Sequence, residues 1–257
     1  MWWKSKNQED DGAEIDEDED EDADDSGEEG LRTYGIAGEA RRKSEEACGN
    51  NDYNSAIEIL DKAIKTLCEL GGSGPWEAAD LYIECAVIYR NRKEGDLELA
   101  ALTKAVEVRG FDWDYQKRAY AYDEHGDYDN AIADYTKAIE LEESPNSYYW
   151  RGEVFFKKND YDSAIADFLN SVECCFLGYI PRGFRAKLRK FFRKKKGDVC
   201  DGCLESYYMC GAAYRKKGDL KSAIKYLNKA LKLKPDFEKA KELREAILAE
   251  KKPAAKR

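Results

Sequence analysis

Four cysteines bracket the most unusual stretch of this chain. Cys174 and Cys175 precede it, and Cys200-Asp201-Gly202-Cys203 follows it. Four thiolates at the base of a loop are a donor set for structural zinc, which is normally met by two C-x-x-C knuckles. The adjacent pair Cys174-Cys175 lacks that spacing, and one of the two falls on the apolar face of a helical pattern. The expectation is therefore unligated thiols, with no metal and no cofactor. Between the cysteines runs a basic segment. Phe184, Leu188, Phe191 and Phe192 share one helical face, and Arg182, Arg185, Lys187, Arg189, Lys190, Arg193, Lys194, Lys195 and Lys196 surround it. Such a helix can lie on an anionic membrane, contact the phosphates of RNA, enter a calmodulin-like partner, or dock on its own protein. His125 is the single histidine, so a Cys–His nucleophile would have to use it. It falls in a turn, where solvated side chains are common. No phosphate-binding loop occurs, and carboxylates crowd only where they are solvated, so no residues carry an enzymatic reading.

The elements that position these residues are written in the charge and hydropathy patterns. The chain has 257 residues, of which 42% are hydrophobic and 37% charged, enough for a packed core beneath a very polar surface. Its net charge of -10 is segregated. Residues 1–30 carry 15 acids against Lys4 and Lys6, with seven acids in a row from Asp16 to Asp22. That segment is expected to be a disordered acidic tail, because self-repulsion and few apolar groups leave the ordering entropy uncompensated. Residues 181–197 carry nine Lys/Arg and no acid. There is no run of 18 apolar residues and no apolar leader, so neither a membrane-spanning helix nor a secretory signal is expected. Eight cysteines scattered through helical patterns suit reduced thiols and a cytoplasmic location. The nucleus is the alternative, since Lys251–Arg257 is similar to a short basic import signal, although a solvated helix end explains that run more simply.

One phrase recurs along the chain: Asn51-Asp52-Tyr53-Asn54-Ser55-Ala56-Ile57, Gly126-Asp127-Tyr128-Asp129-Asn130-Ala131-Ile132, Asn159-Asp160-Tyr161-Asp162-Ser163-Ala164-Ile165 and Gly218-Asp219-Leu220-Lys221-Ser222-Ala223-Ile224. Asp127 and Asp160 stand 33 residues apart, and Asp160 to Asp219 is one such period plus about 25 residues. Apolar spacing predicts helices over 37–48, 53–70, 76–92, 96–108 and in pairs thereafter, with a last amphipathic helix over 238–251. The second helix of the second pair, Asp96 to Val108, has lost two residues relative to the later repeats, although Thr103-Lys104-Ala105-Val106-Glu107 still matches Thr136-Lys137-Ala138-Ile139-Glu140.

The repeated units resemble the tetratricopeptide repeat. Its pattern of a large residue, a small one and Tyr in the first helix, then Ala, aromatic and Ala in the second, is met by Tyr115, Ala119, Tyr122, Ala131, Tyr135 and Ala138. Tyr148, Gly152, Phe155, Ala164 and Phe168 repeat it, as do Tyr207, Gly211, Tyr214, Ala223, Leu227 and Ala230; the first unit is weaker, with Ser44 at the small position. The resemblance implies an all-α fold, a right-handed superhelical solenoid of about five helix hairpins with a C-terminal capping helix. The domain organisation expected is a tail over 1–30, repeats one to four over 35–177, a basic insertion over 178–203, and repeat five with the cap over 204–251.

The resemblance also implies a concave groove lined by the first helices, holding a peptide segment of another protein. A stripe at i, i+4, i+7 on those helices is separate from the packing stripe. It reads Ile83, Val87, Arg90; Gln116, Tyr120, Asp123; Tyr149, Glu153, Phe156; Tyr208, Ala212, Arg215. Some members of the family clamp the terminal carboxylate of heat-shock chaperones with Lys, Asn and Arg. The matching register here gives Gln116, Tyr120, Trp150, Glu205 and Met209, with no basic clamp. The expected function is thus a non-enzymatic scaffold or adaptor. The alternatives are an adaptor to RNA or membrane through Arg182–Lys196, or an acidic-tailed chaperone of basic proteins similar to nuclear histone chaperones of this family.

Overall fold

The computed structural model describes residues 25–177 and 201–251. Among them every element is an α-helix: α1 (Asp25–Gly49), α2 (Tyr53–Leu70), α3 (Gly74–Asn91), α4 (Gly95–Val108), α5 (Asp112–Glu124), α6 (Tyr128–Leu141), α7 (Pro145–Lys157), α8 (Tyr161–Leu177), α9 (Asp201–Lys216), α10 (Leu220–Leu233) and α11 (Glu238–Lys251). None of the described helices is long and apolar enough to cross a membrane.

The recurring phrase is a capping device. Asn51, Gly126, Asn159 and Gly218 take φ of 60°, 79°, 64° and 81°, a left-handed conformation that Gly and Asn adopt at least cost. The aspartate that follows sends its amide back to the preceding helix, as in Asp127 N to Tyr122 O at 2.8 Å and Asp219 N to Tyr214 O at 3.0 Å. Its side chain then accepts from the amide three residues on, Ser55 for Asp52, Asn130 for Asp127, Ser163 for Asp160 and Ser222 for Asp219. The Ser55, Ser163 and Ser222 hydrogen bonds hold the carboxyls of Asp52, Asp160 and Asp219 below their ordinary values.

The second hairpin corrects the expected register. Lys93 has the left-handed φ of 60°, and Glu94 N reaches back to Tyr89 O at 2.9 Å. Glu94 therefore stands where aspartate stands elsewhere, and Gly95-Asp96 is a chance echo two residues later. With that register α4 is 14 residues long, like α6 and α10, and nothing has been lost. The slip has a consequence: Glu98 lands at the small position held by Ala56, Ala131, Ala164 and Ala223.

Helices pair as α1/α2, α3/α4, α5/α6, α7/α8 and α9/α10, and α11 covers the end. The first helices also touch along their own row, α1 with α3, α5 with α7, α7 with α9 and α9 with α11. The result is the right-handed solenoid of hairpins with a C-terminal cap. Equivalent positions of the second helices, Leu60, Leu102, Tyr135, Phe168 and Leu227, are fully buried and form its spine. Close approach is enforced at two glycines. A Cβ on Gly152 would lie 2.9 Å from Phe168 Cε1, and one on Gly211 would lie 2.7 Å from Leu227 Cγ.

Two boundaries move. α1 begins at Asp25, so residues 25–30 leave the acidic tail and join the first hairpin. Acidic residues at a helix N-terminus complement its dipole, and the Thr33 and Ser73 hydroxyls, 2.8 Å apart, tie the helix to the turn before α3. α9 begins at Asp201, so 201–203 leave the insertion. Cys203 is buried against Val172, and Ser206 bonds Ser171 at 3.2 Å, which seats α9 on α8. Residues 1–24 of the expected tail, and the basic residues from Arg182 to Lys196, lie outside the described residues.

Candidate functional site

The row of first helices carries a cleft of about 290 Å³. Its walls are Ile83, Ala86, Val87 and Arg90 from α3, Trp113, Gln116, Lys117 and Tyr120 from α5, and Trp150 from α7; Leu102 and Tyr135 close the floor. Val87, Trp113, Tyr120 and Trp150 are 46%, 45%, 37% and 40% exposed although they are large and apolar. Apolar groups held open to water in one concave place are what a ligand would cover. The rings are held in place: Tyr120 meets Trp150 edge to face at 6.4 Å, and the Arg90 guanidinium lies 5.0 Å over the Tyr120 ring.

One helical turn further along the same two helices the side chains become acidic, with Asp123 buried and Glu153 half-buried. Asp123 follows Tyr120 on α5, and Glu153 follows Trp150 on α7, each three residues on. Asp123 accepts from Lys157 Nζ at 2.7 Å through Oδ2, while its buried Oδ1 receives no hydrogen bond from the described residues. Glu153 accepts from the Tyr149 hydroxyl at 3.0 Å. Burial pushes the Glu153 carboxyl above the usual range, with Asp123 and Glu205 adding to the shift and Tyr149 and Lys157 opposing it. Burial likewise raises the Tyr149 phenol, and Glu153 raises it further.

Of the twelve stripe residues expected from sequence, Ile83, Val87, Arg90, Gln116 and Tyr120 meet in the cleft, and Asp123 and Glu153 form the acidic pair beside it. Tyr149 and Phe156 are half-buried. Tyr149 packs on Phe168 at 5.7 Å and Phe156 on Tyr161 at 5.4 Å, so both serve the core. Tyr208 and Arg215 are taken by the end of the solenoid: Tyr208 meets Phe237 at 5.6 Å, and Arg215 pairs with Glu250 of α11. Sequence reasoning missed Trp113, and it met Trp150 only in the clamp register, which lacked the cations that a clamp needs. Trp113 extends the α5 stripe one turn backward from Gln116. On α7 the open stripe is Trp150, Glu153 and Lys157, rotated by one residue from Tyr149 and Phe156. The signal was present in the spacing, but Tyr149 answered it first.

Residues 117–174 and 204–237 match models of the tetratricopeptide repeat. The chain carries tetratricopeptide repeats. Its fold is similar to that of YrrB, described as a TPR protein with an unusual peptide-binding site, with a TM-score of 0.54 at 18% identity over 79% of this chain and 88% of that one. It is also similar to MamA, with a TM-score of 0.53 at 17% identity over 86% of this chain and 98% of the other. The C-terminal part of a TPR repeat-containing protein from Cytophaga hutchinsonii gives 0.55 at 20% identity, over 81% of this chain and 70% of that one. No curated protein matches the sequence.

Among the described residues of these repeats, His125 and two arginine–aspartate pairs are engaged in structure. Buried Glu98 accepts from Arg90 at 2.5 Å, and His125 Nε2 stands 3.2 Å from its other oxygen. His125 is therefore not simply solvated: its ring packs over Gly95, where a Cβ would be 2.4 Å away, and it is tied to a buried carboxylate. Arg118 forks onto Asp134 at 2.7 and 2.9 Å, and Arg151 onto Asp167 at 2.7 and 2.8 Å. Each guanidinium also lies over two aromatic rings, Tyr115 and Tyr122 for Arg118, Tyr148 and Phe155 for Arg151. The described cysteines form no disulfide among themselves, and burial pushes the thiols of Cys85 and Cys210 up to about 12. Among the described residues no group of three or more His, Cys, Asp or Glu could hold a metal ion. Cys200 lies outside them.

Proposed function

We propose that the protein is a non-enzymatic adaptor that holds a segment of a partner protein in the groove between α3, α5 and α7. The observation that carries this reading is the convergence of exposed Val87, Trp113, Tyr120 and Trp150 on one cleft, in helices whose other faces are packed. Aromatic side chains give large contact area at low entropic cost, which is why they dominate the energetics of recognition. YrrB, similar in fold and a carrier of a peptide-binding site, supports a groove of this kind. The test uses the full chain and a random peptide library displayed on phage. The double variant Trp113→Ala/Trp150→Ala should lose the peptides that the unaltered chain selects while its far-ultraviolet circular dichroism stays the same. Equal selection by both chains would refute the groove.

A further inference from the structure

The aromatic cleft does not end in neutral surface. Tyr120 and Trp150 form one rung across α5 and α7, with ring centroids 6.4 Å apart. Asp123 and Glu153 form the next rung on the same helices, each three residues on, a rise of about 4.5 Å. Glu205 of α9 is close enough to act on both Tyr149 and Glu153. Against these three carboxylates stand Lys157, bound to Asp123 at 2.7 Å, and Lys239, at 3.5 Å from Glu205 and largely exposed. Among the described residues Glu153 has no ion-pair partner within 4 Å; it accepts its hydrogen bond from the neutral Tyr149 hydroxyl. Asp123 is 6% exposed in its side chain and keeps one buried oxygen without a donor among them.

Resting on the groove reading above, we propose that the Asp123–Glu153 rung is a subsite for a lysine or arginine side chain of the bound peptide. The apolar side chain would sit on the Tyr120–Trp150 rung and the cation on the next. Side chains on one face of an extended peptide recur every second residue, about 6.8 Å apart. The flexible stem of Lys or Arg takes up the difference from the rung spacing. The recognised element is thus an apolar residue, any residue, then Lys or Arg. The Glu153 carboxylate supplies a charge-assisted acceptor, and the cation supplies the counter-charge that Lys157 alone does not. Tyr149 positions the Glu153 carboxylate through its hydroxyl.

The experiment again pans the random phage library on the full chain, and then measures synthetic copies of the selected peptides by fluorescence anisotropy. Selected sequences should be enriched in Lys or Arg two residues from an apolar residue. Replacing that cation by Gln should weaken binding to the unaltered chain about tenfold, the value of one charge-assisted hydrogen bond. The same replacement should cost less than about twofold on Glu153→Gln, which keeps the Tyr149 acceptor. Selected peptides that need Trp113 and Trp150 but show no cation preference would overturn the subsite and leave the groove standing. Peptides whose cation preference survives in Glu153→Gln/Asp123→Asn would also overturn it. Selection that ignores Trp113 and Trp150 would overturn the groove itself.

Discussion

Arg90 Nη2 lies 2.5 Å from Glu98 Oε1, at a position where four other hairpins carry a buried alanine. The ion pair is what allows an acid to occupy a site built for a methyl group. Removing Arg90 should cost about 2 kcal/mol, because Glu98 then loses its main donor in a low-dielectric place. The loss falls short of the full buried-pair penalty, since the Arg90 side chain is 41% exposed and His125 remains. Glu98→Ala in the same chain should restore most of it. Urea denaturation of Arg90→Ala, Glu98→Ala and the double variant measures this. Additive losses would mean that the pair is not coupled.

Repeats three and four fasten their hairpins with Arg118–Asp134 and Arg151–Asp167, whereas the same two positions in repeat five are Cys210 and Tyr226. The protein thus contains its own apolar replacement. Arg151→Ala should cost about 3 kcal/mol by stranding Asp167, whose side chain is 5% exposed. Arg151→Cys with Asp167→Tyr should stay within about 1 kcal/mol of the parent, since well-packed apolar residues can replace a buried pair. Equilibrium unfolding followed by circular dichroism distinguishes the two outcomes.

Glycine substitutions should split by location. Gly152→Ala and Gly211→Ala drive a methyl into Phe168 or Leu227, which are fully buried, and should lose about 1–3 kcal/mol despite the gain in helix propensity. Gly35 and Gly38 of α1 are exposed, with nothing within 4 Å of an added Cβ. Alanine at either should gain about 0.5–1 kcal/mol. Thermal melts of the four single variants provide the comparison.

Glu153 makes stability depend on pH. Its carboxyl is raised in the folded chain by burial, with Asp123 and Glu205 adding to the shift and Tyr149 and Lys157 opposing it. A raised carboxyl contributes stability that is full below its unfolded value and is lost as the pH climbs through the folded one. Glu153→Gln should therefore melt higher than the parent at pH 7, and the two melting temperatures should converge as the pH falls to 4. A constant difference across that range would show that ionisation of Glu153 is not the cause.

Much of this architecture was legible because capping and packing leave local signatures. Asp127 and Ala131 announce a turn and a close contact within five residues, and the helix phase then follows. The errors came where local signals compete. Gly95-Asp96 imitates the turn phrase two residues late, and only the backbone at Lys93 shows which residue bends. Tyr149 and Trp150 are neighbours on one helix, so sequence alone offers two stripes about 100° apart. Which of them faces the cleft is decided by Phe168 on another helix. The union of Glu98 with His125 across 27 residues, and the capture of Arg215 by Glu250, are tertiary events with no local trace.

The capping helix α11 has a consequence for how the array counts. Ala240 and Ile247 press into the apolar end left by Ala223, Leu227 and Ala230, and no sixth hairpin can stack there while α11 is seated. A hairpin repeat has no intrinsic stopping rule, because each unit presents the face that the next one needs. Here the stop is a helix with Lys239, Lys241, Arg244, Glu245 and Glu250 among its polar residues, which offer no apolar face to a further hairpin. The cap thereby sets where the stack stops within this chain, because α11 occupies the apolar face that a further hairpin would need.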